Sequence, residues 1–319
     1  MLRHAFSLSS PSGPRGRLSV LIFHRVLPKP DPLCPDALDA AQFEAQMRWV
    51  RGWFNVLPLA QAVRHLYDGT IPARALSVTF DDGYADNEEI AAPILQSLGM
   101  TATFFVATGF LDGETMWNDR IIEAVRGTTS SQLDLGQHGL AIYDTSSLEA
   151  RRATIATLLN EIKRLEPERR QGLTVAVAAS EGAPRTPRLM MLPEQVRRLR
   201  AMGMEIGAHS VTHPILTRLS PALAREEITQ SKATLEHLLD ERIELFAYPN
   251  GVPSHDYAAE HAALVRQCGF AAAMSTAWGA GSMRSDPFQL PRFTPWDRSR
   301  LRYGVRLLAN LRRTELRAA

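Results

Sequence analysis

Short apolar runs alternate with segments of helical spacing along most of this chain. Leu18 to Phe23 (LSVLIF) reads as a buried strand that ends on His24. Phe43, Met47 and Val50 recur at helical spacing within Ala41–Trp53. Phe54–Leu57 predicts a strand, Leu59–Tyr67 a helix, and Leu76–Phe80 a strand that runs straight into Asp81-Asp82-Gly83. A helix follows to about Leu98, then a turn at Gly99 and a strand over Thr101–Val106. Beyond residue 190 the rhythm resumes. Helices are predicted over Pro193–Met202, Pro221–Leu239 and Tyr257–Cys268, and strands over Met204–Ala208, Glu244–Ala247, Phe270–Ser275 and Pro287–Phe293. Alternation on this scale predicts an α/β fold built on a parallel sheet or barrel.

Residues 110–190 depart from that pattern. They offer a helix near Trp117–Val125, a polar stretch and helical segments from Ser147 to Ala179, and read as an insertion on the barrel. Residues 1–17, rich in Ser, Pro, Gly and Arg, read as a flexible leader. The barrel then occupies 18–297, and 298–319 forms a basic C-terminal helix.

Composition narrows the classes. The 319 residues are 45% hydrophobic and 22% charged, which suits a globular core and excludes disorder as the main state. Lys+Arg is 36 against Asp+Glu 34, a net charge of +2 that gives no reason to expect nucleic acid as a partner. Two cysteines, Cys34 and Cys268, exclude a disulfide framework and a cysteine-rich zinc site, so any metal must be held by His and carboxylate. Ser7, Ser9, Ser10 and Pro11 break the apolar stretch a signal peptide needs, and no run is long enough to span a bilayer. A cytoplasmic location is expected. The segment Arg298–Arg317 interleaves seven arginines with Leu301, Val305, Leu308 and Leu311 or Leu316. That pattern fits either a solvated helix docked on the barrel or peripheral contact with the inner membrane.

Candidate chemistry falls at strand ends. Asp81 and Asp82 sit at the C-terminal end of a buried strand, where α/β barrels place catalytic groups; an Asx turn capping the next helix would use the same residues. His209-Ser210-Val211-Thr212-His213 follows the strand Met204–Ala208. Two histidines four apart on a helical turn reach one metal, and such pairs also occur on surfaces without one. With Asp82 they supply two nitrogens and one oxygen, a three-ligand set that leaves positions for water and substrate. Those donors suit Zn2+, with Co2+, Ni2+ or Fe2+ also compatible.

Thr79-Phe80-Asp81-Asp82-Gly83, His209-Ser210-x-x-His213 and Phe246-Ala247-Tyr248-Pro249-Asn250-Gly251, in that order, resemble the polysaccharide deacetylase family (carbohydrate esterase family 4, NodB-homology domain) over about 18–295. The resemblance implies a distorted (β/α) barrel and metal-dependent removal of N-acetyl groups from an N-acetylated glycan or its precursor. It implies Asp81 as general base, Asp82, His209 and His213 as metal ligands, and the Asn250 backbone N–H as an oxyanion donor. Two departures stand out. The family's late Leu-x-His motif is absent, and Leu21-Ile22-Phe23-His24-Arg25-Val26 is similar to the first strand of circularly permuted poly-N-acetylglucosamine deacetylases, which implies His24 as general acid. The third motif lacks its usual Arg; Arg292, in Leu290-Pro291-Arg292, is the candidate replacement, against a surface Arg at a sheet edge. Tyr84 and Trp117 are candidates to contact sugar, or to pack. An amidase of allantoinase or deformylase type, and a non-catalytic carbohydrate-binding protein, are the alternative functions.

Overall fold

A computed structural model describes residues 2–113, 115–163, 165–179, 188–294, 296–313 and 318–319. Contacts divide the chain into two compact units. The larger comprises 1–29, 38–112 and 191–319; the smaller comprises 30–37 and 113–190.

The larger unit is built on a seven-stranded parallel sheet. Its strands are β1 (Leu18–Phe23), β2 (Asn55–Val56), β3 (Ala75–Phe80), β4 (Thr103–Val106), β5 (Glu205–Ala208), β6 (Leu245–Ala247) and β7 (Ala272–Met274). The order is β1-β3-β4-β5-β6-β7, with β2 paired to the first half of β3. Every residue of β1 and β3 is buried, as expected of strands covered on both faces. On β1, Leu21 and Phe23 join the outer core under the helices, while Leu18 and Val20 join an inner core with Phe105, Ala247 and Met274. On β3 the same alternation turns Val78 and Phe80 outward, leaving Thr79 and Asp81 on the inner side.

The segment expected as a last strand, 287–293, is irregular instead. Pro291 has no N–H to give a ladder. Leu290 still exchanges bonds with β7 (Ser275 N–H to Leu290 O, 2.8 Å; Leu290 N–H to Ala273 O, 2.9 Å). Phe293 does the same with β1 (Phe293 N–H to Val20 O, 2.8 Å; Ile22 N–H to Phe293 O, 3.1 Å). This segment thus joins the two edge strands and carries Arg292 between them.

Within residues 2–17 the structure holds an ordered element where composition suggested a flexible leader. Leu2–Ser9 is a helix whose Phe6 is fully buried, with its ring 4.4 Å from Phe54. The i, i+4 spacing of Leu2 and Phe6 puts both on the core side, and this outweighs the Ser-rich composition. At the other end, Arg300–Leu311 is a helix that buries Tyr303, Leu307 and Leu311.

The smaller unit has its own core of Ile121, Val125, Leu158, Ile162 and Val177. It contains helices Trp117–Gly127, Leu148–Lys163 and Pro167–Ala178, and an antiparallel pair, Gln132–Asp134 with Ile142–Asp144, where only a polar stretch was expected.

Candidate active site

The C-terminal ends of β1, β3, β5 and β6 deliver the chemistry-bearing residues. Asp81 leaves β3 with its N–H on the Phe23 carbonyl of β1 (2.9 Å). Asp82 then turns with φ +76, a left-handed conformation that a residue with a Cβ rarely adopts. Gly83 continues at φ +91, and a Cβ there would meet Val106 at 3.1 Å. The turn after β4 holds two loops at once: Ala107 N–H reaches Asp82 O (3.2 Å), while Thr108 and Gly109 N–H reach Ser210 O (3.1 Å) and Val211 O (2.9 Å).

His209 and His213 do not lie on a helical turn, contrary to the sequence expectation. Ser210 (φ +62) and His213 (φ +56) are left-handed, so the chain doubles back instead of winding on. Three bonds to one carboxylate hold that shape. Glu227, on the helix Pro221–Leu239, accepts from Val211 N–H (2.8 Å), Thr212 N–H (2.9 Å) and the Thr212 hydroxyl (2.6 Å). The Ser210 hydroxyl accepts from His213 N–H at 3.1 Å.

Asp82, His209 and His213 converge, with ligand atoms all within 4.8 Å of one another. Asp82 Oδ1 is 3.4 Å from His209 Nε2 and 3.3 Å from His213 Nε2. Ligands about 2.1 Å from a tetrahedral ion are separated by about 3.4 Å, so the spacing suits one cation. His209 Nδ1 lies 2.8 Å from the Ala247 carbonyl of β6 and, facing an acceptor, must carry the proton there. Its Nε2 lone pair is thereby aimed at Asp82. Asp82 Oδ1 is buried and has no hydrogen-bond partner. An orphaned carboxylate oxygen between two imidazole nitrogens is what a bound cation would satisfy.

Electrostatics separates the two aspartates. Burial by itself would raise Asp81, but the Arg292 guanidinium overrides it and holds the carboxyl below its ordinary pKa. Arg292, itself fully buried, makes a bidentate pair (Nη1 to Oδ1 2.6 Å, Nη2 to Oδ2 2.7 Å) and donates Nε to Ser275 O at 3.0 Å. It also lies over the Phe105 ring, 5.6 Å from the centroid. Asp82 is likewise held low, because His213 and His209 outweigh its burial. Burial lowers His213 to about 4 despite Asp82. For His209 burial is outweighed by Asp81 and Asp82, and its pKa is raised.

His24 follows β1, is exposed, and lies close enough to Asp81, Asp82 and His213 to act on all three electrostatically. Its backbone is tied to the aspartate loop: Asn87 Nδ2 donates to His24 O (2.8 Å), and Asp86 accepts from Arg25 Nε (2.8 Å) and Val26 N–H (3.2 Å). Asn250 follows β6 at φ +58, with its carbonyl accepting from the Thr276 hydroxyl at 3.0 Å.

Of the two readings open for Tyr84, sugar contact or packing, its burial fits packing: it is only 3% exposed, with Arg25 4.8 Å over its ring. Trp117 belongs to the smaller unit, where it packs on that core under Arg170, 5.6 Å over its ring. No local pattern marks Glu227 or Asn87. Both belong to helices unremarkable in pattern, and only the folded chain brings them to the loops they hold.

A family profile described as polysaccharide deacetylase matches residues 68–273. A provisionally named polysaccharide deacetylase of Bacillus subtilis (strain 168), YxkH, is 29% identical over 103 residues, 32% of this chain. That match spans a third (33%) of the relative's length. The Streptococcus pyogenes deacetylase PplD, solved with acetate, has a similar fold at 17% identity, with a TM-score of 0.62 over 93% of this chain and 99% of that one. IcaB from Ammonifex degensii is similar at 18% identity, with a TM-score of 0.58 over 95% and 99%. These likenesses show the distorted (β/α) barrel of the NodB-homology type.

Proposed function

From the premise that this chain belongs to the polysaccharide deacetylase family, we propose that it is a metal-dependent hydrolase that removes N-acetyl groups from a carbohydrate. The observation that carries the reading is the opposite engagement of two adjacent carboxylates. Asp81 is turned to Arg292 and Asp82 to His209 and His213. One is thereby kept as an ionised base and the other as a ligand.

Asp82, His209 and His213 would hold a divalent cation, and two imidazoles with one carboxylate suit zinc, with cobalt, nickel or iron compatible. When bound, the cation supplies Lewis acidity to the amide carbonyl and to water. Asp81 lies beside that set, its Oδ2 3.8 Å from His209 Nε2. Ionised at neutral pH and fixed by two bonds from Arg292, it takes the proton of the attacking water. His24, on the neighbouring strand end, gives a proton to the departing amine, so that the sugar leaves as a free amine and the acyl group as acetate. The Asn250 N–H is assigned to the developing oxyanion. The substrate is an exopolysaccharide, a cell-envelope glycan or a precursor of one, met in the cytoplasm.

The identity of the released acid tests this reading. Acetate from N-acetylated oligosaccharides is expected; formate or ureide hydrolysis on the same protein would replace deacetylation with amidase chemistry.

A further inference from the structure

The two chain ends build a surface that the reaction does not use. The helix Arg300–Leu311 faces the barrel with Tyr303, Leu307 and Leu311. The helix Leu2–Ser9 packs beside it, and Arg312 Nε is 3.2 Å from Ser9 Oγ. At about 100° per residue, Leu301, Val305 and Arg312 fall within roughly a quarter of the circumference, on the side away from the core. Leu301 is 67% exposed and Val305 54%. On one flank of that face stand Trp278 and Trp296, half-exposed, with ring centroids 5.1 Å apart. Arg306 lies 4.1 Å over the Trp296 ring and Arg313 5.4 Å over Trp278.

Charge is concentrated in the same place. Residues 2–17 contain three arginines and residues 298–313 six, with no Asp or Glu in either segment, although the whole chain carries only +2. The neighbouring Asp297 is paired with Arg306 and is nearly buried. Five of the eleven large hydrophobic side chains exposed among the described residues (Leu8, Trp278, Trp296, Leu301 and Val305) also belong to this region. An exposed apolar stripe bordered by cations and tryptophans matches the chemistry of an anionic lipid surface.

We propose that this face docks the protein on a membrane bearing anionic lipid. Leu301 and Val305 enter the headgroup region, the tryptophan pair sits at the level of the interface, and the arginines meet lipid phosphates. An acidic polymer would satisfy the arginines but leave the leucine and valine in water, which is why lipid is the partner the surface favours. The proposal does not depend on the deacetylase reading.

Co-sedimentation of the full chain with phosphatidylcholine vesicles, with and without about a third phosphatidylglycerol, tests it, with heparin binding measured in parallel. Binding to the anionic vesicles alone is expected, weakening as salt rises. Leu301→Lys/Val305→Lys removes the apolar contact while adding charge. It is expected to lose about tenfold in vesicle affinity or more and to keep its melting temperature. Arg302→Glu, on the exposed helix surface, is expected to lose at least about fivefold. Wild-type protein left in the supernatant would overturn the proposal. So would vesicle binding unchanged in both variants, or heparin binding that vesicles do not share.

Discussion

Arg292 grips Asp81 with two parallel hydrogen bonds, 2.6 and 2.7 Å long, inside the barrel, and neither side chain is more than 3% exposed. The pair comes from residues 211 positions apart, brought together because the segment 287–293 bridges the sheet edges between β7 and β1. Removing either partner would leave a buried, uncompensated charge.

Arg292→Lys separates charge from geometry, since an ammonium lacks the planar fork. We expect kcat/KM to fall by about 10²-fold, with the fold retained. As the proposed base, Asp81 would work when ionised, and Arg292 keeps its pKa low. In the variant, burial gains weight and the acidic limb of the pH–rate profile moves to higher pH. Arg292→Ala should in addition cost about 3–5 kcal/mol of stability, read from denaturant unfolding.

Glu227 holds the left-handed turn between the two histidines, and its value should show in metal affinity before it shows in folding. Glu227→Gln retains an acceptor but loses the charge and part of the three-bond grip. Competition against a chromophoric chelator should report affinity weakened by about 10–100-fold. Unchanged affinity would reduce Glu227 to an ordinary surface contact.

His24 is tested by the leaving group. An amine needs a proton as it departs and a nitrophenolate does not. His24→Ala should lower N-deacetylation by about 10²–10³-fold, while hydrolysis of nitrophenyl acetate falls much less. Equal losses on both substrates would assign His24 a structural part instead.

Metal affinity should depend on pH through His209. Its pKa is raised, so in the metal-free protein a proton competes for the site below that value. Affinity should fall by roughly tenfold per pH unit there and level off above it. His213, lowered to about 4, carries no proton over the same window. Linkage gives the matching sign for the metal-free chain. The His209 contribution to stability is fully present below the ordinary imidazole pKa and is lost as pH rises through the folded value. Thermal melts with and without added Zn2+ check both statements.

Much of this site was legible in the primary structure because each candidate ligand group lies in a short local motif at a strand end. Asp81-Asp82-Gly83 and His209 to His213 are such motifs, and strand and helix periodicity placed them correctly along the sheet. What local pattern could not supply was backbone sign and distant support. The spacing of His209 and His213 suits a helical turn, yet positive φ at Ser210 and His213, held by Glu227, makes a reversal instead. Composition did not reveal the helix Leu2–Ser9, because Phe6 finds Phe54 and Trp53 only in the folded chain. For Tyr84, aromatic and next to the aspartates, local pattern left sugar contact and packing equally open, because the Arg25 guanidinium over its ring belongs to another strand end.

Asp81→Asn gives the most direct test of the central claim, that one carboxylate is the base while its neighbour holds the cation. Metal content and acetate release from an N-acetylated glycan are measured on the same preparation. The account predicts one bound metal per chain, as in the wild type, with acetate release reduced by at least about 10²-fold. An Asp81→Asn protein that still released acetate at the wild-type rate would contradict it.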